Sequence, residues 1–125
     1  MVGSHLTDYL LEKTDWDIYG LCRWRSPLDN ISHLLPRINT NDRLHLVYGD
    51  LRDYLSIHEA VRKATPDYVF HLAAQSYPKT SFDSPLDTLE TNIQGTANVL
   101  EALRKNEIKA VTHVCASSEV FGRVP

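Results

Sequence analysis

Several classes of protein are excluded by what this chain has little of. There are only two cysteines, Cys22 and Cys115, and both sit inside apolar runs. That placement suits small core residues of a reduced, cytoplasmic protein better than a disulfide scaffold. The apolar stretches are strand-sized, far short of the roughly 20 residues a membrane-crossing helix requires. The N-terminus carries neither the basic lead nor the apolar run of a secretory signal, which again points to the cytoplasm. Basic and acidic residues nearly balance, 13 against 16, with the signs interspersed. With no basic stripe, neither nucleic acid nor an anionic membrane is an expected partner, although a local basic cluster can still hold a phosphate. The histidines, His5, His33, His45, His58, His71 and His113, show no HxH or HExxH spacing, and no cysteine pair joins them, so no metal site is expected. No Gly-x-Ser-x-Gly elbow precedes any serine, which speaks against a hydrolase triad.

What remains is a chain of 125 residues, 42% hydrophobic and 23% charged, the composition of one globular domain without repeats. Four short runs rich in Val, Ile, Tyr and Phe read as buried strands: "DIYGLCR" (17–23), "LHLVYGD" (44–50), "YVFHLAA" (68–74) and "AVTHVCASS" (110–118). A first helix is expected from Gly3 to about Lys13, with Leu6, Tyr9 and Leu10 on one face. A weaker helix or loop follows the first strand. Another helix is expected after Ser56, with Glu59 as its capping-box partner and Ile57, Ala60, Val61 and Ala64 facing inward. The clearest helix is capped by Ser84, carries Pro85 in its first turn, and has Asp87 completing a capping box. Along it Leu86, Leu89, Ile93, Ala97, Leu100 and Leu103 make an apolar stripe.

Alternating strands and helices of this kind make βαβ units, and hence an α/β fold with a doubly wound parallel sheet. Ligands of such sheets bind beyond the carboxyl ends of the strands, which directs attention to Arg23, Asp50, Ala74 and Ser117.

Six segments in order, "RWRSPLDN", "YGDLRD", "VFHLAAQS", "TSFDSP", "TNIQGTANVLEALR" and "ASSEVFG", resemble the extended short-chain dehydrogenase/reductase family, and within it most closely the GDP-mannose 4,6-dehydratases. The resemblance covers essentially the whole chain. It implies a Rossmann-like dinucleotide-binding domain whose first strand and Gly-x-x-Gly-x-x-Gly turn are missing, with Gly3 matching the last glycine, the one that lets helix and strand pack closely. Gly3-Ser4-His5 also reads as a vector-derived leader. The family's Tyr-x-x-x-Lys pair would lie beyond Pro125. Residues 1–125 are therefore expected to be a partial NAD(P)-binding domain without the substrate-binding portion, and inactive alone.

The same resemblance assigns roles. Arg23 and Arg25 stand where such folds meet the adenosine ribose, and arginines there suit a 2'-phosphate, so NADP is expected rather than NAD. Asp50 and Leu51 match the pair that contacts the adenine, and Ala73 and Ala74 the small residues beside which the cofactor lies. Ser81 is a candidate contact to the hexose. Ser117 would hydrogen-bond the sugar's 4-hydroxyl. Glu119 would act as the acid/base of an elimination across C5 and C6, followed by return of the hydride. On an extended backbone, residues 117 and 119 share a face. The implied substrate is a nucleotide sugar, GDP-mannose first, and the implied state a homo-oligomer. An epimerase or a UDP-glucuronate decarboxylase of the same family, or a non-catalytic nucleotide-binding remnant, stays open. Ser118 points away from the dTDP-glucose dehydratases, which usually carry Asp there.

Overall fold

The computed structural model describes residues 1–40 and 42–123, with the side chains of Ser118 and Glu119 outside the described set. The order of elements is α1 (Val2–Lys13), β1 (Ile18–Cys22), a 3-10 segment (Asp29–Arg37), β2 (Leu44–Tyr48), α2 (Tyr54–Ala64), β3 (Tyr68–His71), α3 (Pro78–Asp83), α4 (Pro85–Leu89), a π-helical turn (Glu90–Gln94), α5 (Gly95–Lys105), β4 (Val111–Val114) and a final 3-10 turn (Ser118–Phe121). Helices and strands alternate as the residue pattern requires.

The strands form two parallel pairs, β1 with β2 and β3 with β4, and no strand hydrogen bonds join one pair to the other among the described residues. Ile18 is in register with Leu44 and Cys22 with Tyr48, while Tyr68 pairs Val111 and His71 pairs Val114. Ring contacts between register partners reinforce each ladder: Tyr19 stacks on His45 at 4.5 Å, and Phe70 meets His113 at 6.3 Å. Between the pairs the chain uses side chains instead. Trp16 stacks on Tyr68 with centroids 4.8 Å apart. Asn98 on α5 donates to the Leu51 carbonyl at 2.7 Å.

Each pair has its own apolar cluster. Leu11, Leu34 and Leu44 close under β1–β2, with Ile18, Ile31 and Ile38 at the margin. Leu51, Ile57, Val99, Ala102 and Leu103 form the larger cluster where α2 crosses α5. The start of α5 comes close to the segment before α2 because position 95 is glycine: a Cβ there would lie 2.8 Å from the Leu51 Cβ.

The structure corrects several expectations. Helix α2 starts at Tyr54, three residues early, because the Asp53 carboxylate accepts from the Leu55 amide and takes the cap. Ser56 lies inside the helix, and Glu59 pairs with Arg62 rather than closing a box. Ser84 precedes α4 but makes no side-chain cap, and Asp87 turns to Arg52. Most of the stripe along α4 and α5 is not the core face, since Leu86, Leu89, Ile93 and Leu100 are exposed, although its last member, Leu103, is buried in the core. The exposed members stand on both sides of the π turn at Glu90–Gln94 and within it. Gly3, expected to match the last glycine of the phosphate-binding turn, lies in the first turn of α1. A Cβ added there would meet nothing within 4 Å among the described residues. Cys115 is exposed rather than in the core, because β4 has already ended at Val114, while Cys22 is half-buried. Burial pushes the Cys22 thiol pKa up, favouring the neutral form.

Candidate functional site

Parallel pairing sends the carboxyl ends of β1 and β2 to the same side. There the chain opens a cleft of about 560 Å³ lined by Arg23, Trp24, Arg25, Tyr48, Asp50 and Arg52, among others. That volume lies within the range of small-ligand sites, roughly 300–1,000 Å³.

The first wall is a turn. The Ser26 amide donates to the Arg23 carbonyl at 3.0 Å, which puts Trp24 and Arg25 at its two corners. Arg25 has a φ of 67°, in the left-handed region that glycine usually fills at the second corner of a type II turn. Neither Arg23 nor Arg25 forms an ion pair or side-chain hydrogen bond among the described residues. Two permanent cations on exposed arms are therefore available to an anion.

The second wall follows β2. Gly49 donates its amide to the Cys22 carbonyl at 3.0 Å, prolonging the ladder by one step. A Cβ at Gly49 would stand 3.0 Å from the Leu21 side chain and 3.2 Å from the Ser56 hydroxyl. The Asp50 amide then donates to that hydroxyl at 3.1 Å. The Asp50 carboxylate accepts three times from Arg52: from the amide at 3.0 Å and Nε at 3.2 Å on Oδ1, and from Nη2 at 3.1 Å on Oδ2. The guanidinium, and after it the backbone amide, holds Asp50 below the ordinary carboxylate pKa, so it stays ionised. A carboxylate offers about four acceptor sites, and one on Oδ2 remains for an incoming amino group. Arg52 also donates from Nη1 to Asp87 Oδ1 at 3.0 Å, tying the cleft wall to the first turn of α4.

Arg52 was missed from the sequence, although the Asp-x-Arg spacing of "YGDLRD" was its available signal. Leu51, expected beside the adenine, is buried in the core and is not among the residues that line the cleft. Its side chain packs over Gly95, where an added Cβ would meet it.

The ends of β3 and β4 are built differently. Ala73 and Ala74 follow β3 as exposed small residues. The loop after them is clamped by Asn92 of the π turn, which accepts from the Gln75 amide at 2.8 Å and donates to its carbonyl at 3.0 Å. The π turn thus sets a side chain to work on the strand-end loop. Below it His71, buried at the end of β3, meets Thr96 at 2.9 Å. The Thr96 hydroxyl spends its proton on the Asn92 carbonyl at 2.7 Å, so His71 Nε2 must be the donor. Burial lowers the His71 pKa and keeps the ring neutral. Ser81 in α3 donates to the Pro78 carbonyl at 2.6 Å.

Ser117 lies on the exposed segment beyond β4, and its carbonyl accepts from the Val120 amide at 3.2 Å. The chain therefore winds into a 3-10 turn at Ser118, and the extended spacing expected to align Ser117 with Glu119 is not kept. The Glu119 side chain lies outside the described residues. Of the expected site residues, the structure brings Arg23, Arg25 and Asp50 to one cleft; Ala73, Ala74, Ser81 and Ser117 do not line it. Among the described residues no group of three His, Cys, Asp or Glu side chains could hold a metal, and no helix is long and apolar enough to cross a membrane.

Residues 1–125 match the family profile described as GDP-mannose 4,6 dehydratase. The chain is 34% identical over 128 residues to GDP-mannose 4,6 dehydratase of Drosophila melanogaster, an alignment covering 98% of this chain and 32% of that protein. Its fold is similar to the UDP-Glc/GlcNAc 4-epimerase of Campylobacter jejuni, with a TM-score of 0.82 over 98% of this chain and 36% of the other at 20% identity. The Thermus thermophilus UDP-glucose 4-epimerase, solved in complex with NAD, aligns with a TM-score of 0.70 at 28% identity, over 86% of this chain and 32% of that one. The chain spans about a third of the length of the curated relatives it matches.

Proposed function

The chain belongs to the GDP-mannose 4,6-dehydratase family, and from that premise we propose that residues 1–125 are the cofactor-binding part of an NADP-dependent nucleotide-sugar dehydratase acting on GDP-mannose. The observation that carries the cofactor reading is the pair of arginines, Arg23 and Arg25, without an ion pair or side-chain hydrogen bond among the described residues, at the lip of a cleft that also holds an ionised Asp50. Guanidinium groups suit a ribose 2'-phosphate, and Asp50 suits an exocyclic amino group of a purine. These residues fit the adenosine end of NADP, which supplies the hydride acceptor for oxidation at C4 of the sugar. Ala73 and Ala74 leave room for the cofactor beside the end of β3.

In this reading Ser117 hydrogen-bonds the C4 oxygen. Glu119 takes the C5 proton, made acidic by the neighbouring carbonyl, and a carboxyl group returns a proton to the departing C6 hydroxyl. Water leaves, and the hydride returns to C6. Ser81 contacts the hexose. The remaining groups for turnover belong to the larger protein, which we place in the cytoplasm as a homo-oligomer. The uncovered apolar side chains Leu86, Leu89, Ile93 and Leu100 support self-association.

Nucleotide binding tests the first half of this reading. The chain should bind adenosine 2',5'-bisphosphate more tightly than adenosine 5'-monophosphate. The double variant Arg23→Ala, Arg25→Ala should lose that preference by roughly 100-fold, two charge-assisted hydrogen bonds' worth. Equal affinity for both nucleotides in the unaltered chain would refute the NADP assignment. The 125-residue chain alone should convert no GDP-mannose. In the protein that contains it, Glu119→Gln should cut kcat by about 10²–10⁴. Reaction with UDP-glucuronate alone, releasing carbon dioxide, would overturn the substrate.

A further inference from the structure

Trp24 has no part in the reading above, yet it is 73% exposed at the mouth of the cleft. A large aromatic ring left in water beside two arginines calls for an occupant of flat, polarisable chemistry. Three features fix where the ring stands. It occupies a corner of the turn that the Ser26–Arg23 hydrogen bond closes. The next residue, Arg25, adopts the left-handed conformation at φ 67°, a strained choice of the kind that persists where surroundings or function demand it. Tyr48, the last residue of β2, meets the indole edge to face, with centroids 4.8 Å apart and planes at 71°. An edge contact orients a ring without sandwiching it, and most of the indole surface stays open.

The groups around that surface are those of a nucleotide site in miniature. Arg23 and Arg25 flank the indole in sequence, and Asp50 lines the same cleft with its acceptor on Oδ2. A purine lying on Trp24 would put its sugar phosphate within reach of the arginines. We propose that Trp24 is the stacking platform for the adenine base, held in position by Tyr48. This deepens the proposed function and rests on it. Stacking is indifferent to base identity and to the ribose phosphate. Trp24 therefore contributes to every adenine nucleotide alike, whereas the two arginines distinguish the 2'-phosphorylated one.

The test uses the chain with Trp16→Phe, which leaves Trp24 as the single tryptophan, because the sequence has two. Phenylalanine can preserve the stack on Tyr68. Titrating adenosine 2',5'-bisphosphate should quench Trp24 emission to saturation. By calorimetry, Trp24→Ala should weaken adenosine 2',5'-bisphosphate and adenosine 5'-monophosphate by the same factor, roughly 10-fold or more. Trp24→Phe should retain most of the affinity, and the exposed position lets both variants fold, which their circular dichroism checks. Wild-type affinity in Trp24→Ala overturns the platform while leaving the cofactor reading intact. A weakening confined to the 2'-phosphorylated nucleotide also overturns it. If the unaltered chain binds neither nucleotide, the cofactor reading itself fails and the platform with it.

Discussion

The carboxyl end of β1–β2 and the carboxyl end of β3–β4 solve the same problem by opposite means. The first rim is ordered chiefly by its own residues, with Ser56 of α2 and Asp87 of α4 as outside supports: Arg52 holds Asp50, a hydrogen-bonded turn holds Trp24 and Arg25, and the ladder continues through Gly49. The second rim has small residues with little to hold, and a helix holds it from outside, through Asn92 on Gln75 and Thr96 on His71. A rim that must present charges can use them to order itself. A rim that must stay small and uncharged borrows its order from a neighbour.

The sharpest way to break this contrast is Asn92→Ala. It removes both hydrogen bonds to the Gln75 backbone in a partly buried setting, at about 1–3 kcal/mol for each group left unpaired. Urea denaturation should show the loss. Amide exchange should quicken at Gln75 and Tyr77, with the Arg23–Ser26 turn unchanged. If both rims loosen together, the two are not independently organised. Arg25→Gly acts on the other rim and in the opposite direction. Relieving the left-handed backbone should stabilise the chain by about 1 kcal/mol, while binding of the 2'-phosphorylated nucleotide weakens. Lower stability in that variant would show that Arg25 is not strained.

The smallest effect is a pH dependence on the second rim. The His71 pKa is depressed in the folded chain, so the unfolded chain takes up the proton first as pH falls. The contribution is fully present above the unfolded value of about 6.5 and declines as pH drops through it toward the folded pKa. Denaturation midpoints from pH 7.5 to 5 should fall less in His71→Gln than in the unaltered chain. Parallel curves would remove His71 from the account.

The strands, their parallel pairing and the helix between each were legible because Val, Ile, Tyr and Phe mark them locally. Their ends were less so. The runs 68–74 and 110–118 continue past the last paired residues, His71 and Val114, because an apolar composition does not say where hydrogen bonding stops. Caps were misplaced for a related reason: Asp53 and Ser56 lie within one turn, and only geometry chooses between them. The exposed stripe defeated periodicity because apolar spacing marks one face of a helix without saying whether these residues cover it. Within the cleft, Arg23, Arg25 and Asp50 could be found as strand-end residues. Arg52 and Trp24 matter through Asp50 and Tyr48, and that depends on pairings no single stretch reveals.

The two-by-two division of the strands has one more consequence. In a single sheet of four, two strands would be bordered on both sides. Here each of β1, β2, β3 and β4 has one laddered side among the described residues. In a parallel strand the backbone amides point alternately left and right, so a strand bordered once has its amides hydrogen-bonded in a one-on, one-off rhythm. Solvent deuterium should read that rhythm directly, with slow and fast positions interleaved along every strand. It would vanish first from whichever strand gains a second neighbour.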